Sequence, residues 1–73
     1  MFASNGGDLM VRVNGKELGI AGMTISDYLK TTAYDLKYIA VEKNTMIVPK
    51  VKYDETVIED GDVLEIVSFV GGG

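Results

Sequence analysis

Val63-Leu64-Glu65-Ile66-Val67-Ser68-Phe69-Val70 is the longest apolar run in the chain, and three glycines, Gly71-Gly72-Gly73, follow it directly. Its β-branched and aromatic residues are strand material. A run this apolar predicts a strand buried on much of both faces, hence one central in its sheet. Just upstream, Glu59-Asp60-Gly61-Asp62 reads as a turn, with Gly61 at the position that tolerates positive φ. A central strand ending in three glycines is unusual. Glycine is the costliest residue to order and has no Cβ, so the tail is expected to move freely and to fit channels that would exclude side chains. Fully extended, it reaches roughly 10 Å beyond the domain.

The elements before this strand follow from local signals. Met10-Val11-Arg12-Val13 alternates in the strand period, Asn14-Gly15 is the strongest short hairpin signal, and Glu17-Leu18-Gly19-Ile20 returns. Thr24 is a good N-cap with Asp27 three residues on, and Ile25, Tyr28, Leu29 and Ala33 fall at helical spacing. This predicts a helix from Ile25 to Thr31 or Thr32. Tyr34 to Lys37 connects to a third strand, Tyr38 to Glu42; Lys43-Asn44-Thr45 turns, and Met46-Ile47-Val48 returns as a fourth. Pro49 suits a strand end, and Lys50 to Ile58 reads as irregular with one short helical turn. The order predicts an α+β domain: a mixed sheet of four to five strands, one helix packed on one face, and the last strand parallel to the first.

Composition narrows the chemistry. Seventy-three residues make one small domain, 47% hydrophobic and 25% charged. With no cysteine and no histidine there is no disulfide, no thiolate and no imidazole base, and the usual zinc ligands are missing. Any sulfur chemistry therefore falls to the chain terminus. All seven bases lie between Arg12 and Lys52, whereas the last twenty-one residues hold six acids and no base. That distribution argues against nucleic acid and for a partner with a basic rim. No apolar run approaches a membrane span of about 20 residues. Residues 1–9 lack the features of a secretory signal and read as a loose, vector-derived leader outside the fold, which leaves the cytoplasm as the expected compartment.

The hairpin start Val11-Arg12-Val13-Asn14-Gly15, the stretch Ile39-Ala40-Val41-Glu42-Lys43-Asn44 through Ile47-Val48-Pro49, the turn Glu59 to Val63 and the end Phe69-Val70-Gly71-Gly72-Gly73 resemble the thiamine-biosynthesis sulfur carriers, the ThiS family. The resemblance covers Met10 to Gly73 and implies a ubiquitin-like β-grasp fold over residues 10–70 with a glycine tail over 71–73. It further implies that a ThiF-type enzyme uses ATP to adenylate Gly73. A sulfurtransferase or cysteine desulfurase system then makes the thiocarboxylate, and thiazole synthase takes the sulfur. On that reading the chain is a protein cosubstrate, not an enzyme, and binds no cofactor of its own. Gly71 and Gly72 form the slender arm. Gly71 is itself a departure, since many members have alanine there.

Phe69 and Val70 are either core residues or contacts that steer the tail into a partner; strand alternation points one of them outward. Glu59, Asp60 and Asp62 lack the spacing of a calcium loop and read as a solvated turn. The carboxylates Glu42 with Asp60, and Glu17 with Asp27, have no nucleophile or base beside them, so catalysis by this chain is not expected. Met23 and Met46 read as gap-filling core residues, and the four tyrosines as core edges and loop anchors. Two other functions share these features. One is a carrier like the small subunit of molybdopterin synthase, with the same fold and Gly-Gly end. The other is a β-grasp binding module with an inert tail.

Overall fold

The computed structural model describes residues 10–69. The leader, Val70 and the glycine tail lie outside the described residues. Five strands form one mixed sheet in the order β2-β1-β5-β3-β4. They are β1 (Val11–Val13), β2 (Lys16–Leu18), β3 (Ile39–Lys43), β4 (Met46–Val48) and β5 (Val63–Ser68). One helix, α1 (Ile25–Lys30), and two single 3₁₀ turns, Leu36–Tyr38 and Lys50–Lys52, complete the domain. β5 lies in the middle, parallel to β1 and antiparallel to β3. The last strand thus joins two hairpins that do not touch each other within the sheet.

Local chemistry explains each element. Asn14 and Gly15 both take positive φ, 50° and 84°, as a two-residue hairpin turn requires. Thr24 caps α1 by accepting the Asp27 N–H at 3.0 Å, which satisfies one of the donors orphaned at a helix start. The helix stops at Lys30, one or two residues short of the predicted end. Thr31 and Thr32 turn their hydroxyls onto the Tyr28 and Leu29 carbonyls at 2.6 and 2.7 Å, competing with the backbone for those acceptors. Ala33 accordingly lies beyond the helix and is exposed.

The core lies between α1 and one face of the sheet. Ile25, Tyr28 and Leu29 pack against Val11, Val13, Ile39, Val41, Leu64 and Ile66, and Tyr53 and Ile58 close the side. Each fully buried aliphatic side chain contributes about 1.5–3 kcal/mol, and α1 covers only this face. That corrects two expectations. β5 is central but buried on one face, because no second layer covers Val63 and Val67, which stay 43% and 53% exposed. Met46, expected in the core, is 70% exposed because it pairs with Lys43 at the rim beyond the helix. Met23 does pack against the core, and Tyr28 and Tyr53 are buried deeper than loop anchors would be.

Candidate functional site

The site is built around β5, because that strand carries the chain toward its glycines. Its entry is tightly held. Asp62, 8% exposed, accepts the Glu59 N–H at 2.8 Å and the Asn44 amide at 2.9 Å, and pairs with the Lys43 ammonium at 3.2 Å. Burial pushes the Asp62 carboxyl up, but these three donors outweigh it and hold the group below the usual aspartate range. The Asn44 carbonyl oxygen accepts the Val63 N–H at 2.9 Å, and Asp60 accepts the Met10 N–H at 3.0 Å. Midway along the strand, the Asn14 side chain accepts the Ile66 N–H at 2.8 Å and donates to the Ile66 carbonyl at 3.1 Å. Both turn asparagines therefore reach across to β5.

The exit is different. Beyond Ser68, Phe69 continues the ladder with one bond, its N–H to the Tyr38 carbonyl at 2.8 Å. The Phe69 ring is 50% exposed, so the outward reading holds for it; Val70 and Gly71 to Gly73 lie outside the described residues. The Lys37 ammonium sits 5.8 Å from the centre of the Tyr38 ring, at the edge of cation–π range, and places one positive charge beside this exit.

The sheet face turned away from α1 is apolar with a charged centre. By strand alternation and register it presents Val63, Val67 and Phe69 along β5, Ala40 on β3 and Ile47 on β4, of which Ile47 is 70% exposed. Glu42 and Glu65 face each other across the β3–β5 ladder within this patch. The sequence reading missed that pair, since only the register brings residues twenty-three apart together. The combinations it did weigh are not assembled. Glu17 binds Arg12 at 2.9 Å, Asp27 lies 3.8 Å from Lys30, and Asp60 bonds the Met10 backbone.

The acidic final third is likewise no single surface. Asp62 is sequestered, Glu55 pairs with Lys52 at 2.9 Å, and Glu65 sits on the outer sheet face. Among the described residues no group of three or more acidic, histidine or cysteine side chains is placed to hold a metal ion. A surface depression of about 280 Å³ lies at the entry of β5 beside Arg12, Gly61 and Asp62, away from the exit. The arrangement is an exposed apolar sheet face with two carboxylates at its centre, along the strand that runs to Phe69.

The ThiS family model matches residues 9–73. The chain belongs to the ThiS family. It is 41% identical over 66 residues to the sulfur carrier protein ThiS of Bacillus subtilis, an alignment covering 88% of this chain and all of that protein. It is 45% identical over 62 residues to a thiazole synthase of Paramagnetospirillum magneticum, covering 84% of this chain but only 19% of that much longer protein. The crystal structure of a thiamine biosynthesis protein (ThiS) from Geobacter metallireducens superposes with a TM-score of 0.74 at 29% identity, covering 88% of this chain and 99% of the other. The fold is thus the β-grasp of this family, as the resemblance implied and in agreement with the element order. No helix among the described residues is long and apolar enough to cross a membrane.

Proposed function

We propose that this ThiS-family chain is a sulfur carrier for thiamine biosynthesis, with the sulfur held on Gly73. The observation that carries the reading is the course of β5: the central strand runs out through Phe69 toward Gly71-Gly72-Gly73, in a chain that has no cysteine or histidine to hold sulfur elsewhere. A carboxylate is a poor acyl donor until one oxygen becomes a leaving group. A ThiF-type partner supplies that by joining the Gly73 carboxylate to the adenylyl group of ATP with loss of pyrophosphate. Sulfur delivered by a cysteine desulfurase or sulfurtransferase system then attacks the acyl carbon. The terminal persulfide sulfur forms the C–S bond as the C–O bond to AMP breaks. A second thiol of the delivering system then cleaves the resulting acyl disulfide at its S–S bond, leaving the thiocarboxylate and a protein disulfide. Thiazole synthase is the acceptor. The long thiazole synthase relatives, about a fifth of whose length matches this chain, support that pairing.

The chain's own part is presentation. Gly71 and Gly72 carry no Cβ and let the terminus reach the nucleotide; Phe69, Val70 and the outer sheet face contact the partner. Adenylation and transfer belong to the partners, so the chain is a cosubstrate acting in the cytoplasm, where ATP is at hand. The test is intact mass after incubation with ATP, a ThiF-type enzyme and a sulfur source. A gain matching one oxygen-to-sulfur exchange at Gly73, abolished by deleting Gly72-Gly73 without loss of the fold, is expected. An unchanged mass under conditions that load the Bacillus subtilis carrier would sink the proposal. Formation of thiazole, rather than molybdopterin, by the loaded protein separates this reading from the molybdopterin synthase type of carrier.

A further inference from the structure

The outer face of the sheet carries a charge arrangement that the domain does not balance. Glu42 and Glu65 are register partners in the β3–β5 ladder, which sets their Cβ atoms about 4.5–5.5 Å apart on one face. Like charges directly opposite each other destabilise a sheet. Among the described residues neither carboxylate has an ion-pair partner. Arg12 shares this face but is held by Glu17 at 2.9 Å. Lys43, next in sequence to Glu42, alternates to the other side of the ladder and is bound to Asp62 at 3.2 Å. Around the pair stand exposed apolar side chains: Ile47 beside Glu42, Val63 and Val67 on either side of Glu65, and Phe69 at the exit.

We propose that this face is the docking surface for thiazole synthase, and that Glu42 and Glu65 jointly receive one guanidinium or ammonium group set in an otherwise apolar patch of that enzyme. The proposal rests on the carrier reading above and adds the chemistry of the contact. An exposed apolar patch with a polar rim marks an interaction site. Here the charge is central instead, so any partner that covers the patch must strip water from two adjacent carboxylates. Doing so without a compensating cation leaves buried, unpaired charge, which is prohibitive. A partner bearing one cation gains twice, because its charge is attracted to both carboxylates and screens them from each other.

The same pair argues against a second copy of this chain as the occupant. A two-fold pairing of outer faces brings identical surfaces together and would crowd four carboxylates into an apolar interface. The pair thereby protects exposed Ile47, Val67 and Phe69 from self-association while admitting a complementary enzyme, a specificity obtained by repulsion as much as attraction. The sulfur acceptor is favoured because the longer thiazole synthase relatives include a stretch similar to this chain, and Phe69 lies on this face just before the tail that the acceptor must receive.

The test measures binding of the full chain to the cognate thiazole synthase by titration calorimetry, at low and at raised salt. E42Q/E65Q keeps side-chain size and is expected to weaken binding about tenfold and flatten the salt dependence; E42K/E65K should weaken it about a hundredfold. D54N/E59Q makes the same change in net charge at exposed acids off this face and should bind within about twofold of the parent. In sedimentation, E42Q/E65Q is expected to self-associate at concentrations where the parent stays monomeric. Thermal melts of E42Q/E65Q no lower than the parent's exclude unfolding as the cause. Binding of E42Q/E65Q within about twofold of the parent overturns the proposal. So does equal weakening by D54N/E59Q, or no binding of the parent to the enzyme. Thiocarboxylate loading is read separately by mass: a chain that loads normally yet ignores these substitutions overturns this inference alone, whereas one that never loads overturns the carrier reading beneath it.

Discussion

At its Val63 end, β5 is gripped by side chains from three directions. Asp62 collects donors from Glu59, Asn44 and Lys43, Asn44 also takes the Val63 N–H, and Asp60 ties down Met10 beside it. At its Phe69 end the ladder to β3 closes with the backbone bond to Tyr38, and Val67 and Phe69 stand half exposed. The entry is a polar clamp and the exit an apolar ledge. The difference assigns stability and function to opposite ends of one strand. Substitutions at the entry should act on folding and leave the chemistry alone, and those at the exit should do the reverse.

The strongest way to break this contrast is Asp62→Ala. It leaves the Lys43 ammonium and two further donors without their acceptor, and we expect a loss of about 2–4 kcal/mol, read by urea or thermal unfolding. Transfer chemistry on the fraction that remains folded should be unchanged. The same clamp sets a pH dependence. Asp62 is held below its unfolded value, so its contribution is present above about pH 4 and is lost as the pH falls through the folded value. An acid titration of unfolding free energy should show this slope, and Asp62→Asn should flatten it.

Asn14→Ala should rank second, at about 1–2 kcal/mol, since it removes both bonds to Ile66 and places alanine at positive φ. Phe69→Ala sharpens the other side of the comparison. It should shift stability by no more than about 0.5 kcal/mol, because the ring is half exposed. It should also slow sulfur transfer several-fold in a reconstituted assay. An equal loss of stability from Phe69→Ala and Asp62→Ala would dissolve the distinction between the two ends. Thr45→Gly is the smallest. Thr45 is a β-branched residue held at φ 71°, and glycine there should stabilise the fold by about 0.5–1 kcal/mol.

What the sequence disclosed divides along the same lines. Signals carried by neighbours in the chain were legible: Asn14-Gly15 for the first turn, Thr24 with Asp27 for the helix start, and the apolar run of β5 for its central place. Signals that depend on register were not. Asn14 and Asn44 read as turn residues, and nothing local reveals that each also bonds β5 across the sheet. Asp62 read as part of a solvated turn, yet two of its three partners lie eighteen and nineteen residues back. The Glu42–Glu65 pair became visible only through the β3–β5 alignment. The exposure of Val63, Val67 and Met46 was misjudged for a related reason, since an apolar strand does not announce how many layers will cover it. The tail was singled out by composition, and its geometry lies outside the described residues.

The place of β5 in the sheet has a consequence for how the protein is made. Until Val63 to Ser68 have left the ribosome, the chain holds two separate hairpins, β1–β2 and β3–β4, each marginal alone in water. The strand that unites them is the last of the five in sequence, and the docking face exists only when it is in place. A product truncated before Val63 therefore lacks the sheet's middle strand altogether. Such fragments should fail to fold and be degraded, and so should not circulate as empty decoys occupying the enzymes that await a loaded carrier.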